Sequence, residues 1–98
     1  MALTSKQRQF LKGLAHALVP VVRIGRAGAT PSVIEETKRS LFAHELIKVR
    51  IDSDDSAQRL ALAEELARAS EAELAGTIGK LAILYRPRDE EPEIELPA

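Results

Sequence analysis

Apolar residues recur at helical spacing in three stretches of the chain and crowd into short strand-like runs in four others, and the two patterns alternate along the chain. Thr4 and Gln7 stand at capping-box spacing, where each side chain satisfies a free amide at a helix start. Phe10, Leu11, Leu14 and Leu18 follow as an apolar stripe, so the pattern predicts a first helix over residues 5–18. Pro20 closes that helix, and Val21-Val22-Arg23-Ile24 is β-branched enough to read as a short strand. Thr30 as N-cap and Pro31 at the first helical position open a second helix over residues 31–43, with Ile34, Thr37 and Leu41 turned inward. Ile47, Val49 and Ile51 alternate with other residues through 46–51, the signature of a strand with one buried face. Ser53-Asp54-Asp55-Ser56 supplies caps for a third helix over residues 57–70, striped by Leu62, Leu66 and Ala69. Residues 74–78 and 81–85, joined by Gly79-Lys80, read as a hairpin whose two-residue turn begins with glycine.

The order is therefore helix, strand, helix, strand, helix, strand, strand. Helical crossovers favour parallel pairing and the closing hairpin must be antiparallel. Together they predict an α/β fold (α+β by looser naming), a mixed four-stranded sheet packed with three helices. At 98 residues the chain has room for one domain, placed at 1–88. Residues 89–98 combine like charges with two prolines and read as a flexible acidic tail, which Ile94 and Leu96 can tack to an edge.

Composition narrows the chemistry. The chain has no Cys, which excludes disulfides, thiolate metal sites and thiol nucleophiles. No apolar run approaches the roughly 20 residues of a membrane span, and the first ten residues lack a signal-peptide core, so the expected location is the cytoplasm, with no membrane partner. The net charge of −1 conceals an asymmetry. Residues 1–51 hold nine Lys and Arg against three Glu, whereas residues 52–98 hold five against twelve acidic side chains. A domain that is cationic in its first half and anionic in its second presents either a basic surface for a polyanion or a merely dipolar, solvated one.

Little in the sequence suggests catalysis. His16 and His44 are the only histidines and read as capping or surface groups, His16 also as a phosphate contact beside Arg8 and Lys12 on one helix face. Asp54, Asp55, Glu64 and Glu65 read as caps and solvated helix face. We therefore expect no enzyme, no metal and no small-molecule cofactor. The loop Gly25-Arg26-Ala27-Gly28 joins a strand to a helix start, where free amides and the helix dipole favour an anion and Arg23 and Arg26 add charge-assisted donors. It is compatible with a plain tight turn or with a phosphate seat. Phe10 and Phe42 lie on or beside apolar stripes and read as core, and Tyr85 reads as a hydrogen-bonded anchor at the sheet edge. That leaves few rings for base stacking and favours recognition of backbone and shape.

Four separated blocks then acquire a common meaning. Leu3-Thr4-Ser5-Lys6-Gln7 with Leu14-Ala15-His16, Val22-Arg23-Ile24-Gly25-Arg26-Ala27-Gly28, His44-Glu45-Leu46-Ile47-Lys48-Val49, and Ile78-Gly79-Lys80-Leu81-Ala82-Ile83-Leu84-Tyr85-Arg86-Pro87 resemble the bacterial YhbY-like proteins. These are stand-alone CRM domains, the module of chloroplast RNA splicing and ribosome maturation. The resemblance implies an α-β-α-β-α-β-β fold like the C-terminal domain of translation initiation factor three. It also implies association, as a monomer, with structured RNA, the ribosomal RNA precursor in large-subunit particles. Carried over, Gly25, Arg26, Ala27 and Gly28 form the RNA-contacting loop, with Lys6, Arg8, Lys12, Arg23, Lys38 and Arg39 as neighbouring phosphate contacts. Gly76-Thr77 departs from the family pattern, in which bulkier residues enter the third strand. The competing reading is a protein-interaction adaptor in ribosome maturation, using the acidic third helix and tail without touching RNA directly.

Overall fold

The computed structural model describes residues 2–98. Its elements are α1 (Ser5–Ala15), β1 (Pro20–Ile24), α2 (Pro31–His44), β2 (Leu46–Ile51), α3 (Ser56–Ala69), β3 (Glu73–Ile78) and β4 (Leu81–Tyr85), which is the predicted order. The sheet runs β1-β2-β4-β3, with β1 parallel to β2 and β4 antiparallel to both β2 and β3. The hairpin's second strand is thus inserted between β2 and β3, and β1, β2 and β3 all run the same way. Their carboxyl ends, with the glycine loop, the segment after Ile51 and the Gly79-Lys80 turn, gather at one end of the sheet.

Local signals account for the helix starts. Thr4 and Gln7 exchange the two capping-box hydrogen bonds, Gln7 N to Thr4 Oγ1 at 3.1 Å and Thr4 N to Gln7 Oε1 at 3.0 Å. Thr30 Oγ1 accepts from Val33 N at 3.2 Å ahead of Pro31, and Asp55 accepts from Ala57 N and Gln58 N at the start of α3. The first helix ends at Ala15 rather than Leu18. Leu18 N turns back to Ala15 O at 2.9 Å, and the ammonium of Lys48 collects the His16 and Leu18 carbonyls at 3.3 and 2.9 Å. A long-range cation supplies there what another helical turn would have supplied.

The sheet is covered on both faces. On one, Val22, Ile24, Ile47, Val49, Ile51, Ala82 and Leu84 pack against α2 and α3 through Leu41, Ala63, Leu66 and Ala67. On the other, Leu46, Ala75, Ile83 and Tyr85 meet Leu3, Leu11 and Ala15, with Ile94 and Leu96 packed against the same cluster. Both faces of β2 are therefore buried, save Arg50, where alternation alone had predicted one. Three side-chain expectations are corrected here. Phe42 is 79% exposed, because α2 turns Thr37 and Leu41 to the sheet. Phe10 lies outside the buried cluster because α1 faces inward through Leu11 and Ala15. Tyr85 is buried, but on an inner strand rather than an edge, and its hydroxyl makes no hydrogen bond among the described residues.

Residues 86–98 lie along the body, held by the side chains of Glu45, Gln7 and Arg88 and by the apolar contacts of Ile94 and Leu96. Glu45, fully buried at the end of α2 with φ of 61°, accepts hydrogen bonds at its carboxylate from Arg88 N (2.8 Å), Glu93 N (2.7 Å) and Ile94 N (3.1 Å). Gln7 Nε2 donates to Pro97 O at 3.0 Å. Among the described residues no helix is long and apolar enough to cross a membrane.

Candidate functional site

The glycine loop projects from the carboxyl end of β1 into the start of α2. Gly28 N closes the turn on Gly25 O at 3.1 Å, and Thr30 N bonds Gly28 O at 3.0 Å. The amides of Arg26, Ala27 and Ala29 donate to no acceptor among the described residues, so they remain available beside the positive end of the helix dipole. The two glycines have different reasons to be glycine. Gly28 holds φ of 74°, a left-handed conformation that costs other residues about 1 kcal/mol, and a Cβ there would meet Leu62 Cδ2 at 3.6 Å. At Gly25 φ is not left-handed and a Cβ would meet nothing within 4 Å. Nothing in the fold demands its missing side chain; what the glycine leaves is bare backbone open to solvent.

Arg23 and Arg50 are paired across β1 and β2 and point away from the α2–α3 core. Asp52 joins them, with Arg50 Nε at 3.0 Å from Oδ1 and Arg23 Nε on Oδ2. The hydrogen bond from Arg23 holds the Asp52 carboxyl below its ordinary range, aided by Arg50 and opposed by partial burial. Lys80 likewise binds Asp54 at 2.9 Å and lowers its pKa. Arg50 escapes attention as a site residue in the sequence, although the inward parity of Ile47, Val49 and Ile51 puts it on the same face as Arg23.

The remaining sequence-predicted cations divide. Lys12 lies on the α1 face of the sheet, its stem across β3 at Gly76, where an added Cβ would sit 2.2 Å from Lys12 Cε. This close approach explains why the position is a glycine. Arg8, one turn earlier, shares a groove with Lys12 at the β3 edge. Leu14, on the opposite flank of α1, shares a groove with Leu46 near the start of β2, so the basic flank of the helix is turned towards β3. Lys6 lies two residues before Arg8, roughly 200° around the helix, on a different flank. Lys38 and Arg39 belong to α2, on the opposite face of the sheet, and line a cleft with Phe42, Arg86, Arg88 and Glu90. The structure thus brings Arg23, Arg26 and Lys12 to the loop end and the α1 face, and sets Lys38 and Arg39 apart.

What each cation touches explains the charge asymmetry. In the second half, Arg86 donates to Ser70 O and Glu71, Arg88 to the Phe42 and Ala43 carbonyls, Arg59 to Ser53 O and Lys80 to Asp54, leaving Arg68 without a partner among the described residues. In the first half, Lys6, Arg8, Lys12, Arg26, Lys38 and Arg39 have no ion-pair or hydrogen-bond partner for their side chains among those residues. The cations of residues 52–98 mostly hold the fold together, and those of residues 1–51 are mostly available to something else.

Three helices over a mixed sheet, with a glycine loop at the carboxyl end of β1 and unpaired cations on α1, α2 and the loop, define a small α/β domain. The chain belongs to the CRS1/YhbY (CRM) domain family, whose model matches residues 3–86. It is 44% identical over 95 residues to a Haemophilus influenzae protein named "RNA-binding protein", covering 97% of this chain and 95% of that one. Identity of 37% over 95 residues covers 97% of this chain and 99% of the Bacillus subtilis "Probable RNA-binding protein YqeI". A solved Staphylococcus aureus structure, described as a candidate RNA-binding protein, superimposes with a TM-score of 0.87 at 38% identity, covering 98% of this chain and all of that one.

Proposed function

We propose that this protein binds structured RNA through the Gly25–Gly28 loop and the adjoining basic surface, and that it acts, without catalysis, on precursors of the large ribosomal subunit, as a cytoplasmic monomer. The observation that carries the reading is the loop itself: free amides at a helix start, an unpaired Arg26, and a Gly25 for which folding has no use. Relatives along nearly the whole chain are named as RNA-binding, which supports the same ligand class. Phosphates seated on the loop displace counterions, so affinity falls steeply with salt. Arg23, Lys12, Arg8 and Arg50 extend the charge across the α1 face, with Lys6, Lys38 and Arg39 as outer contacts for a folded RNA.

The glycines provide the test. Gly25→Ala is expected to melt like the parent and to bind a transcript of large-subunit precursor RNA more weakly. Gly28→Ala is expected to lose about 1 kcal/mol of stability from its φ alone. Arg26→Glu should weaken binding about tenfold and flatten the salt dependence by roughly one counterion. Unchanged affinity in both Gly25→Ala and Arg26→Glu would remove the loop from the interface. Co-sedimentation with large-subunit precursors, abolished by ribonuclease, tests the assembly role; retention after RNA digestion would place the chain on a protein instead.

A further inference from the structure

At the β3 edge of the sheet the cations of two helices on opposite faces meet. Arg8 and Lys12 reach it from α1 and Arg68 from α3, and all three line one groove with Glu64, Glu73 and Gly76. None of the three has an ion-pair partner among the described residues. Lys12 is also aimed: its stem crosses β3 over Gly76, where a side chain on the strand would displace it. Gly76 stands opposite Ile83, in the same row as Lys48 and Pro20, so the groove and the β1 edge lie across the full width of the sheet, about 14 Å apart. The adjacent row towards the loop end, Ile78, Leu81, Arg50 and Arg23, leads from one to the other, with Ile78 53% exposed.

We propose that the Arg8–Lys12–Arg68 groove is a second phosphate seat, taking the sugar-phosphate backbone of the same RNA that meets the glycine loop, so that the RNA crosses the α1 face of the sheet rather than touching one end of it. This rests on the RNA-binding reading and adds to it a position, the β3 edge, and a residue from the otherwise acidic half of the chain.

The test measures binding of the full-length protein to a labelled large-subunit precursor transcript and to a ten-nucleotide single strand across a salt series. Arg68→Glu is expected to lower affinity for the transcript about tenfold and reduce the salt slope by roughly one, with melting unchanged. Glu64→Gln, which removes negative charge from the same groove, is expected to raise affinity severalfold, a gain that cations serving only to guard a strand edge from aggregation would not produce. If the parent binds and Arg26→Glu abolishes binding while Arg68→Glu and Glu64→Gln change nothing, the second seat is overturned and the loop reading stands. Failure of the parent to bind either RNA overturns both.

Discussion

Glu45 is the residue in which fold and tail are joined. Its backbone sits at φ of 61°, where glycine is the usual occupant after a helix, and its peptide groups bond Leu41 O and Arg86 N. Burial alone would push its carboxyl up; the amides of Arg88, Glu93 and Ile94 and the charge of Arg88 more than offset this, and the pKa is lowered below the ordinary 4.5. A depressed folded-state pKa contributes stability that is complete above the unfolded value and disappears as pH falls through the folded one. The melting temperature of the parent should therefore drop below about pH 4.5, and Glu45→Gln, which has no such proton to gain, should lose that part of the pH dependence. At neutral pH, Glu45→Ala should cost about 2–4 kcal/mol, since three amides lose their acceptor. Glu45→Gly should be milder by about 1 kcal/mol, because it keeps the loss and removes the backbone strain. Equal melting of the Ala and Gly variants would show that the left-handed conformation carries no cost here.

At the level of elements, each helix ends on a cation brought from elsewhere in the chain: Lys48 on α1, Arg88 on α2 and Arg86 on α3. Lys48→Met keeps the apolar stem and deletes the donor, so it should cost about 2 kcal/mol. Its effect should concentrate in the last turn of α1, read as faster hydrogen exchange at residues 14–18 with α3 little changed. Uniform loosening of all three helices would refute the local role. The same long-range caps mark the limit of what the sequence discloses. Helix starts are legible because Thr4, Thr30 and Asp55 are caps contained within a few residues, and strands are legible from β-branched runs and alternation. The end of α1 is not, because the group that terminates it lies 30 positions away in β2. Phe42 misleads for a related reason: its neighbours along the helix are apolar, but the side of α2 that meets the sheet is set by Thr37 and Leu41. In the candidate site the glycine loop is legible from local residues, whereas the grouping of Arg8 with Lys12 and Arg68, and of Arg23 with Arg50, depends on strand order and register.

For the molecule as a whole, the final ten residues act in two opposed ways. Ile94 and Leu96 add apolar contact to the α1-side core, and the amides of Glu93 and Ile94 satisfy Glu45, so the segment stabilises the fold. It also carries five carboxylates and no Lys or Arg, which turns a chain of +4 into one of −1. A chain ending at Arg88 should be less stable by about 2–4 kcal/mol, through lost burial and a Glu45 carboxylate left with one of three amide donors. For a domain of this size that is a fall of roughly 10–25 °C in melting temperature. Held below its melting point, the same truncated chain should bind RNA several times more tightly at low salt, because the field around its cationic face is no longer offset, and the advantage should fade as salt screens it. Neutralising the tail instead, by changing Asp89, Glu90 and Glu91 to Asn, Gln and Gln, should separate the two effects. These side chains bond none of the buried partners, so affinity should rise while the melting temperature stays near that of the parent. Loss of stability in that triple variant would mean that tail charge, and not the contacts of residues 93–97, holds the segment in place.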